Sequence, residues 1–342
     1  MRHSTEVKRN RDGFTNGFGG PGSGGSAGSH LCCGYPQGHG GHGGHSGGAG
    51  GNYGGICSLW EVLMKYKIEK NTVQETLIIP LYARKVCSEL YPNLYRDETA
   101  IRLINQIDYD FSKAEKKSRS LMQRFGSLEV AMRQNDLAWE VRDYLKDHPH
   151  AAVVNLGCGL DSTGRSCDNG SCKIYNLDLP DVIAVRNELL PAGEREKNIP
   201  CDLNDTAWFS QIDASNGAVF FASGVFYYFL TEQVKALVQK MADAFPSGVL
   251  VFDTANRTAV KMIAKTWLKS AKIQDVGAYF AVSDAPKEIG AWDSRLQVSS
   301  RGYMLGYNDL KAPSVSGFFR FLARVGDGVM KMQIVRIKFG GR

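Results

Sequence analysis

From Ala151 onward, short apolar runs and amphipathic stretches take turns along the 342-residue chain, and this alternation is the strongest constraint on its fold. "AAVVNLG", "CKIYNLDL", "NIPCDL", "GAVFFASG" and "GVLVFDTA" read as buried strands. "LPDVIAVRNELL", "TEQVKALVQKMADAF" and "NRTAVKMIAKTWLKSA" read as helices between or after them. Strands joined through helices form a mainly parallel sheet covered on both faces, so a Rossmann-like α/β domain is expected over residues 151–342. Two late runs, "RGYMLGY" and "MQIVRIKF", flank a helical "SVSGFFRFLARV" and predict a hairpin-like edge.

The 93 residues before this domain have another character. Over 58–150, "SLWEVLMKYKIEK", "TVQETLIIPLYARKVCSEL", "DETAIRLINQI" and "SLEVAMRQNDLAWEVRDYLKDHP" carry apolar residues at helical spacing. Asp97 is the expected N-cap of the third helix, and Pro149 stops the fourth. A helical cap is expected. Residues 1–57 differ again: about half of the 38 glycines and five of the seven histidines lie there. Such a stretch cannot bury enough apolar surface to offset its ordering entropy, and a disordered Gly/Ser/His-rich tail is expected. His3, His30, His39, His42 and His45 with Cys32 and Cys33 match no structural zinc spacing, so no metal site is assigned.

The first strand of the alternating domain breaks into "GCGLDSTGR". Gly157 and Gly159 place bare backbone at a strand tip, where a ligand approaches closely. A dinucleotide fingerprint requires glycine where this chain has Ser162, and no Gly-Lys-Ser/Thr follows to make a phosphate loop. Asp178 ends the second strand, where a carboxylate accepts from ribose hydroxyls, and Asp202 ends the third, within reach of an adenine amino group. The competing reading of either acid alone is a cap for the following helix, and it weakens when both are taken together. Taken in order with Asp161, these strand ends point to an adenosine ligand without a diphosphate. S-adenosyl-L-methionine is the common cofactor of that description.

These segments also carry a resemblance. "ETLIIPLYARKV", "IDYDFS", "AMRQNDLAWEV", "VVNLGCGLDS", "YNLDLPDVI", "FFASGVFYYF", "PSGVLVFDTAN" and "PKEIGAWDSRL" occur in an order that resembles the leucine carboxyl methyltransferase superfamily, in its polyketide-synthesis O-methyltransferase branch. The resemblance implies a seven-stranded class I methyltransferase sheet, last strand antiparallel, beneath a helical N-terminal cap. It places Gly157, Gly159 and Asp161 in the cofactor loop, Asp178 on the ribose, and Asp202 with Leu203 beside the adenine. It gives Arg133 the carboxylate of the cofactor's methionine part, with Arg84 as a second candidate; bidentate geometry suits arginine to this task. Ser223 stands where the family usually has Glu, and Asn176 where it often has Asp.

A carboxylate acceptor is ionised at neutral pH and needs no general base, whereas a phenol benefits from one. With histidine confined to His148 and His150 beyond the tail, no catalytic base is assigned, and a carboxylate (or phenolic hydroxyl) of a small, polyketide-like molecule is the expected acceptor. Tyr227 and Tyr228 are candidates to line its pocket, though aromatic runs of this kind also serve as core packing. The alternative is a catalytically silent protein that binds the cofactor as a sensor or partner. A net charge of +6 without a basic stripe, no run long enough to span a bilayer, and no apolar segment after the basic start argue against nucleic acid, membrane and secretion. The eight irregularly spaced cysteines agree with a reducing cytoplasmic location. Cys167 and Cys172 flank a turn and form a candidate redox-sensitive pair.

Overall fold

The computed structural model describes residues 65–69, 73–262, 280–308, 310–311 and 315–340, all within the unit Gly54–Arg342. Seven strands form the sheet: β3 (Ala152–Leu156), β4 (Lys173–Asp178), β5 (Glu196–Pro200), β6 (Ala218–Ala222), β7 (Val249–Thr254), β8 (Gln297–Gly302) and β9 (Gln333–Lys338). Their order is β5-β4-β3-β6-β7-β9-β8. The first five run parallel, and β9 lies antiparallel between β7 and β8. β3, β6 and β7 are buried along their whole length, which is why each reads as an unbroken apolar run. β8 alternates exposed and half-buried residues, as an edge strand with one solvated face does.

Register decides where the strands end. Leu156 pairs with Leu177 on one side and Ala222 on the other, so β3, β4 and β6 stop level. The chain leaves β3 for β4 and β5 in one direction and later starts again with β6 and β7 in the other. The crevice between β3 and β6 is therefore the switch point at which such sheets hold ligands.

Helices cover both faces. α1 (Val73–Leu90), α2 (Glu98–Gln106), α3 (Ser112–Ser118) and α4 (Leu121–Asp147) make the cap. Asp97 caps α2 as expected, its carboxylate accepting from the Ala100 N–H at 2.8 Å. β6 divides its side chains in the period of two: Val219 and Phe221 pack with Leu128, Met132 and Val141 of α4. Phe220 faces the opposite side, where Trp208, Phe245 and helix α7 (Thr231–Ala244) lie. A third cluster joins Ile78 and Leu81 of α1 and Leu103 of α2 to Leu160 and Val185, so the cap rests directly on the glycine loop. The helices α5 (Thr163–Ser166), α6 (Pro180–Leu189), α8 (Ala285–Gly290) and α9 (Gly317–Gly328) complete the elements.

Three expectations need correction. Within the predicted helix over 58–70, Tyr66–Lys67 is a short strand, β1, paired with β2 (Ile107–Asp108); most of that segment lies outside the described residues. "RGYMLGY" is mostly a turn: the strand runs earlier, Gln297–Gly302, because the Asp327 carboxylate takes the N–H groups of Met304 (3.0 Å) and Leu305 (2.8 Å) and bends the chain there. α4 begins at Leu121, where the Ser120 hydroxyl accepts from the Gln123 N–H, six residues before the apolar pattern suggests. The helix after β7 holds over 257–262, and the rest of its predicted span and the whole of residues 1–57 lie outside the described residues.

Candidate cofactor site

At the tip of β3 the backbone turns left-handed twice, with φ +66° at Gly157 and +47° at Gly159. A Cβ on Gly157 would stand 2.6 Å from Val225 Cγ2, so the absence of a side chain lets the loop after β6 close against the loop after β3. Gly159 donates its N–H to Asp178 Oδ2 at 2.7 Å, and Leu179 donates to Oδ1 at 2.8 Å. Asp178 is thus pinned at the mouth of β4, half-buried with its remaining lone pairs unclaimed by these bonds. Burial raises its pKa, against the two backbone donors and Arg186. The Cys201 N–H donates to the Asp178 carbonyl at 2.8 Å and brings the end of β5 alongside. There Asp202 is exposed and accepts from the Asn204 N–H and side-chain amide, both at 2.9 Å, while Asp205 caps the following short helix. Leu203 turns into the core.

Asp161 plays a different part from its neighbours. Its carboxylate is buried and accepts from the Thr163 N–H (2.7 Å), the Thr163 hydroxyl (2.8 Å), Asn155 Nδ2 (3.1 Å) and Gln134 Nε2. These bonds fill most of a carboxylate's acceptor positions, so Asp161 shapes the loop. Two buried arginines hold the same loop by its carbonyls. Arg186 donates to those of Gly159 (2.9 Å) and Asp161 (2.7 Å), and Arg84 to that of Leu160 (3.0 Å). Arg84 also pairs with Asp97 at 2.9 Å, which commits it to the protein rather than to a ligand. Asn176 is likewise internal, donating to Asn198 Oδ1 at 3.1 Å. Cys167 and Cys172 are free and buried, and burial pushes the Cys167 thiol up to about 11, the opposite of what a reactive thiol needs.

The third part of the site lies across the switch point. Ser223 follows β6 directly and is half-buried. Next to it, Gly224 has φ +71°, and a Cβ there would stand 3.0 Å from Arg133 Nη1: the guanidinium lies against this glycine. Asp253, ending β7, accepts from the Gly224 N–H at 2.6 Å and from Arg133 Nη1 at 3.1 Å, which fixes the arginine at the strand ends. Arg133 Nε is buried and has no partner among the described residues. Tyr227 is buried with its hydroxyl beside Asp253, whereas Tyr228 is 47% exposed, so the two tyrosines do not act as a pair. Gly157, Gly159, Asp178, Ser223 and Arg133 thus form one arc along the strand ends, with Asp202 at one end of it.

The sequence reading missed Asp253, although a single acid closing an apolar strand is the same signal that marked Asp178. It also missed Gln134, whose partner lies 27 residues away, and Glu129, one turn before Arg133 on α4. Burial raises the Glu129 pKa to about 7, against Arg133 and with the help of Asp327.

The leucine carboxyl methyltransferase family profile matches residues 79–242, a span that holds Arg133, the glycine turn, Asp178, Asp202 and Ser223. Over these residues the chain is similar to the leucine carboxyl methyltransferase family. Its relatives include the tetracenomycin polyketide synthesis O-methyltransferase TcmP of Streptomyces glaucescens, 28% identical over 182 residues, which are 53% of this chain and 65% of that protein. The S-adenosyl-L-methionine-dependent methyltransferase dpfgK of Gibberella zeae is 25% identical over 282 residues, 78% of this chain and 93% of the other. The chain therefore spans just under two thirds of the first relative and most of the second. A DUF574 family protein from Streptomyces avermitilis matches with a TM-score of 0.49 at 12% identity, covering 75% of this chain and 97% of that one. The seven-stranded sheet with its antiparallel last strand is the class I methyltransferase arrangement. No described helix is long and apolar enough to cross a membrane.

Proposed function

We propose that the chain transfers a methyl group from S-adenosyl-L-methionine to an oxygen of a small molecule. The observation that carries this reading is the bond from the Gly159 N–H to Asp178: a carboxylate tied to the glycine turn at a topological switch point is built to take ribose hydroxyls. The protein's groups also fit the rest of the cofactor. Gly157 and Gly159 leave backbone bare for it, Asp202 and Leu203 flank the adenine side, and Arg133, with its orphaned Nε, takes the methionine carboxylate. Ser223 and Gly224 lie beneath that end, and Asp253 keeps the guanidinium in place. Bound S-adenosyl-L-methionine supplies an electrophilic methyl on a sulfonium. The protein's share is to hold and orient the reactants, worth several kcal/mol of the barrier. Residues 1–57 and the cap–domain division are assigned as expected from the sequence, with no catalytic part for the tail.

Calorimetric titration of the cofactor into wild type and Asp178→Ala tests the reading. Micromolar binding to the wild type, weakened on the order of 10²-fold in the variant, is expected from the loss of charge-assisted hydrogen bonds to the ribose. No binding to the folded wild type refutes it.

A further inference from the structure

The antiparallel pair β8–β9 carries two arginines on the face that α4 covers. Ser299 pairs with Arg336 and Arg301 with Ile334, so Arg301 and Arg336 are diagonal neighbours on that face. Long side chains on such a diagonal reach each other, and like charges brought together across strands are destabilising. Each guanidinium is nevertheless held from another side. Arg336 Nη1 donates to Glu140 Oε2 and Asp143 Oδ2 of α4, at 2.6 and 3.3 Å. Arg301 lies over two rings, its guanidinium carbon 5.0 Å from the centre of Trp139 and 5.3 Å from that of Tyr307. The rings are fixed in turn: they meet edge to face at 5.4 Å, and the Tyr307 hydroxyl donates to Glu140 Oε1 at 2.6 Å.

Both arginines line one cavity of about 190 Å³, together with Glu140, Tyr307, Ile334, Ser299 and Ser300. That is many times the space one water needs. The charges around it do not balance. Glu140 is buried and already accepts from Tyr307 and Arg336, and Asp143 is shared between Arg336 and Lys146. Among the described residues no carboxylate pairs with Arg301 and no acceptor takes a hydrogen bond from it. An aromatic face attracts a guanidinium but leaves the five N–H donors in the guanidinium plane unused. The cluster therefore holds one positive charge in excess and a fork of donors without acceptors, fixed beside an open space. The row Asp253–Ile334–Arg301 sets Arg301 two strand spacings, about 10 Å, from the strand end that fixes Arg133, and no residue of the cavity belongs to the cofactor arc.

We propose that this cavity binds a tetrahedral oxyanion, either inorganic phosphate or the phosphate of a monoester. Arg301 is its principal donor, with Arg336 and the Ser299 hydroxyl beside it. The oxyanion supplies the charge that Arg301 lacks and gives the two arginines a common partner. Forked N–H pairs match the spacing of phosphate oxygens, and rings that hold the fork in advance lower the cost of ordering it. The site stands independently of the cofactor reading.

The test is calorimetric titration of inorganic phosphate into the full chain, against sodium chloride of equal ionic strength. The wild type is expected to bind phosphate with a Kd below about 1 mM. Arg301→Ala is expected to weaken it about 10- to 100-fold through the loss of charge-assisted hydrogen bonds, and Arg301→Lys, which keeps the charge without the fork, to fall between. Arg301 is exposed, so both variants are expected to fold, with the unliganded melting temperature as the control. Phosphate binding that survives in Arg301→Ala, or that chloride reproduces, means an adventitious ion only and overturns the proposal. A wild type that binds neither phosphate nor phenyl phosphate overturns it as well, and acetate bound as tightly as phosphate overturns the tetrahedral assignment. Phenyl phosphate separates the two sources. Binding at least tenfold tighter than that of phosphate assigns a monoester whose ring meets Trp139, which is 39% exposed, and equal or weaker binding assigns the free ion.

Discussion

A single methyl group is excluded at Gly157 on two independent grounds. The φ of +66° strains any L side chain, and Val225 Cγ2 occupies the space a Cβ needs. Gly157→Ala is expected to lose about 1–3 kcal/mol of stability and to weaken cofactor binding at least tenfold, read from thermal melts and titration. Adding Val225→Ala removes the contact but leaves the φ, so it restores only part of the loss. Residue roles were unevenly legible in the sequence. Glycines and acids at strand ends stand out because local chemistry places them there. Asp161 stands out equally, yet its role depends on Asn155, Thr163 and the distant Gln134, which no local pattern reveals. Glu129 is an ordinary helix acid in one dimension; its setting comes from Asp327 and Tyr303, nearly 200 residues later.

Among the elements, α1, α2 and the glycine loop are joined by Arg84, which pairs with Asp97 and bonds the Leu160 carbonyl. Both partners of the ion pair are nearly buried, with side chains 5% and 11% exposed, so solvent screens it little. Arg84→Ala strands a carboxylate and a carbonyl. The expected cost is about 3 kcal/mol, with a lower denaturant midpoint at unchanged slope. A loss under about 0.5 kcal/mol would count against the arginine as a structural tie. The strands of the parallel half were legible because each is buried on both faces and reads as one apolar run. β8 was misplaced because an edge strand with polar alternation, QVSSRG, offers no such run, while the turn beyond it is apolar for its own packing. The start of α4 was missed because its first turn is exposed, with Leu121 and Met122 in solvent, so no apolar stripe facing the core runs through it.

The stability of the whole molecule carries the imprint of one acid. Asp136 is fully buried, and burial raises its pKa to about 9, against a hydrogen bond from Asn308 and with the help of Asp327 and Glu140. In the unfolded chain the same group titrates near 3.9. Between about pH 4 and 9 the native state holds a proton that the unfolded state has lost, so stability falls as pH rises, by up to about 1.4 kcal/mol per unit. Asp136→Asn removes this term. Its melting temperature is expected to exceed that of the wild type by a margin that widens from pH 5 to pH 8; a constant or shrinking margin would show that Asp136 ionises freely in the folded protein. The overall architecture was readable because strand–helix alternation admits few topologies. The insertion of β9 between β7 and β8 was not read from the sequence, where the resemblance gave only an antiparallel last strand, since non-adjacent pairing leaves no mark on local sequence.

That insertion sets a timetable for the chain during synthesis. β8 touches the rest of the sheet only through β9, and β9 is translated after it. While residues 333–338 are still inside the ribosome, β7 has an open apolar flank and β8 has no neighbour to pair with. The nascent protein cannot close its sheet before those six residues emerge, and until then it presents the kind of unpaired edge that holding chaperones recognise.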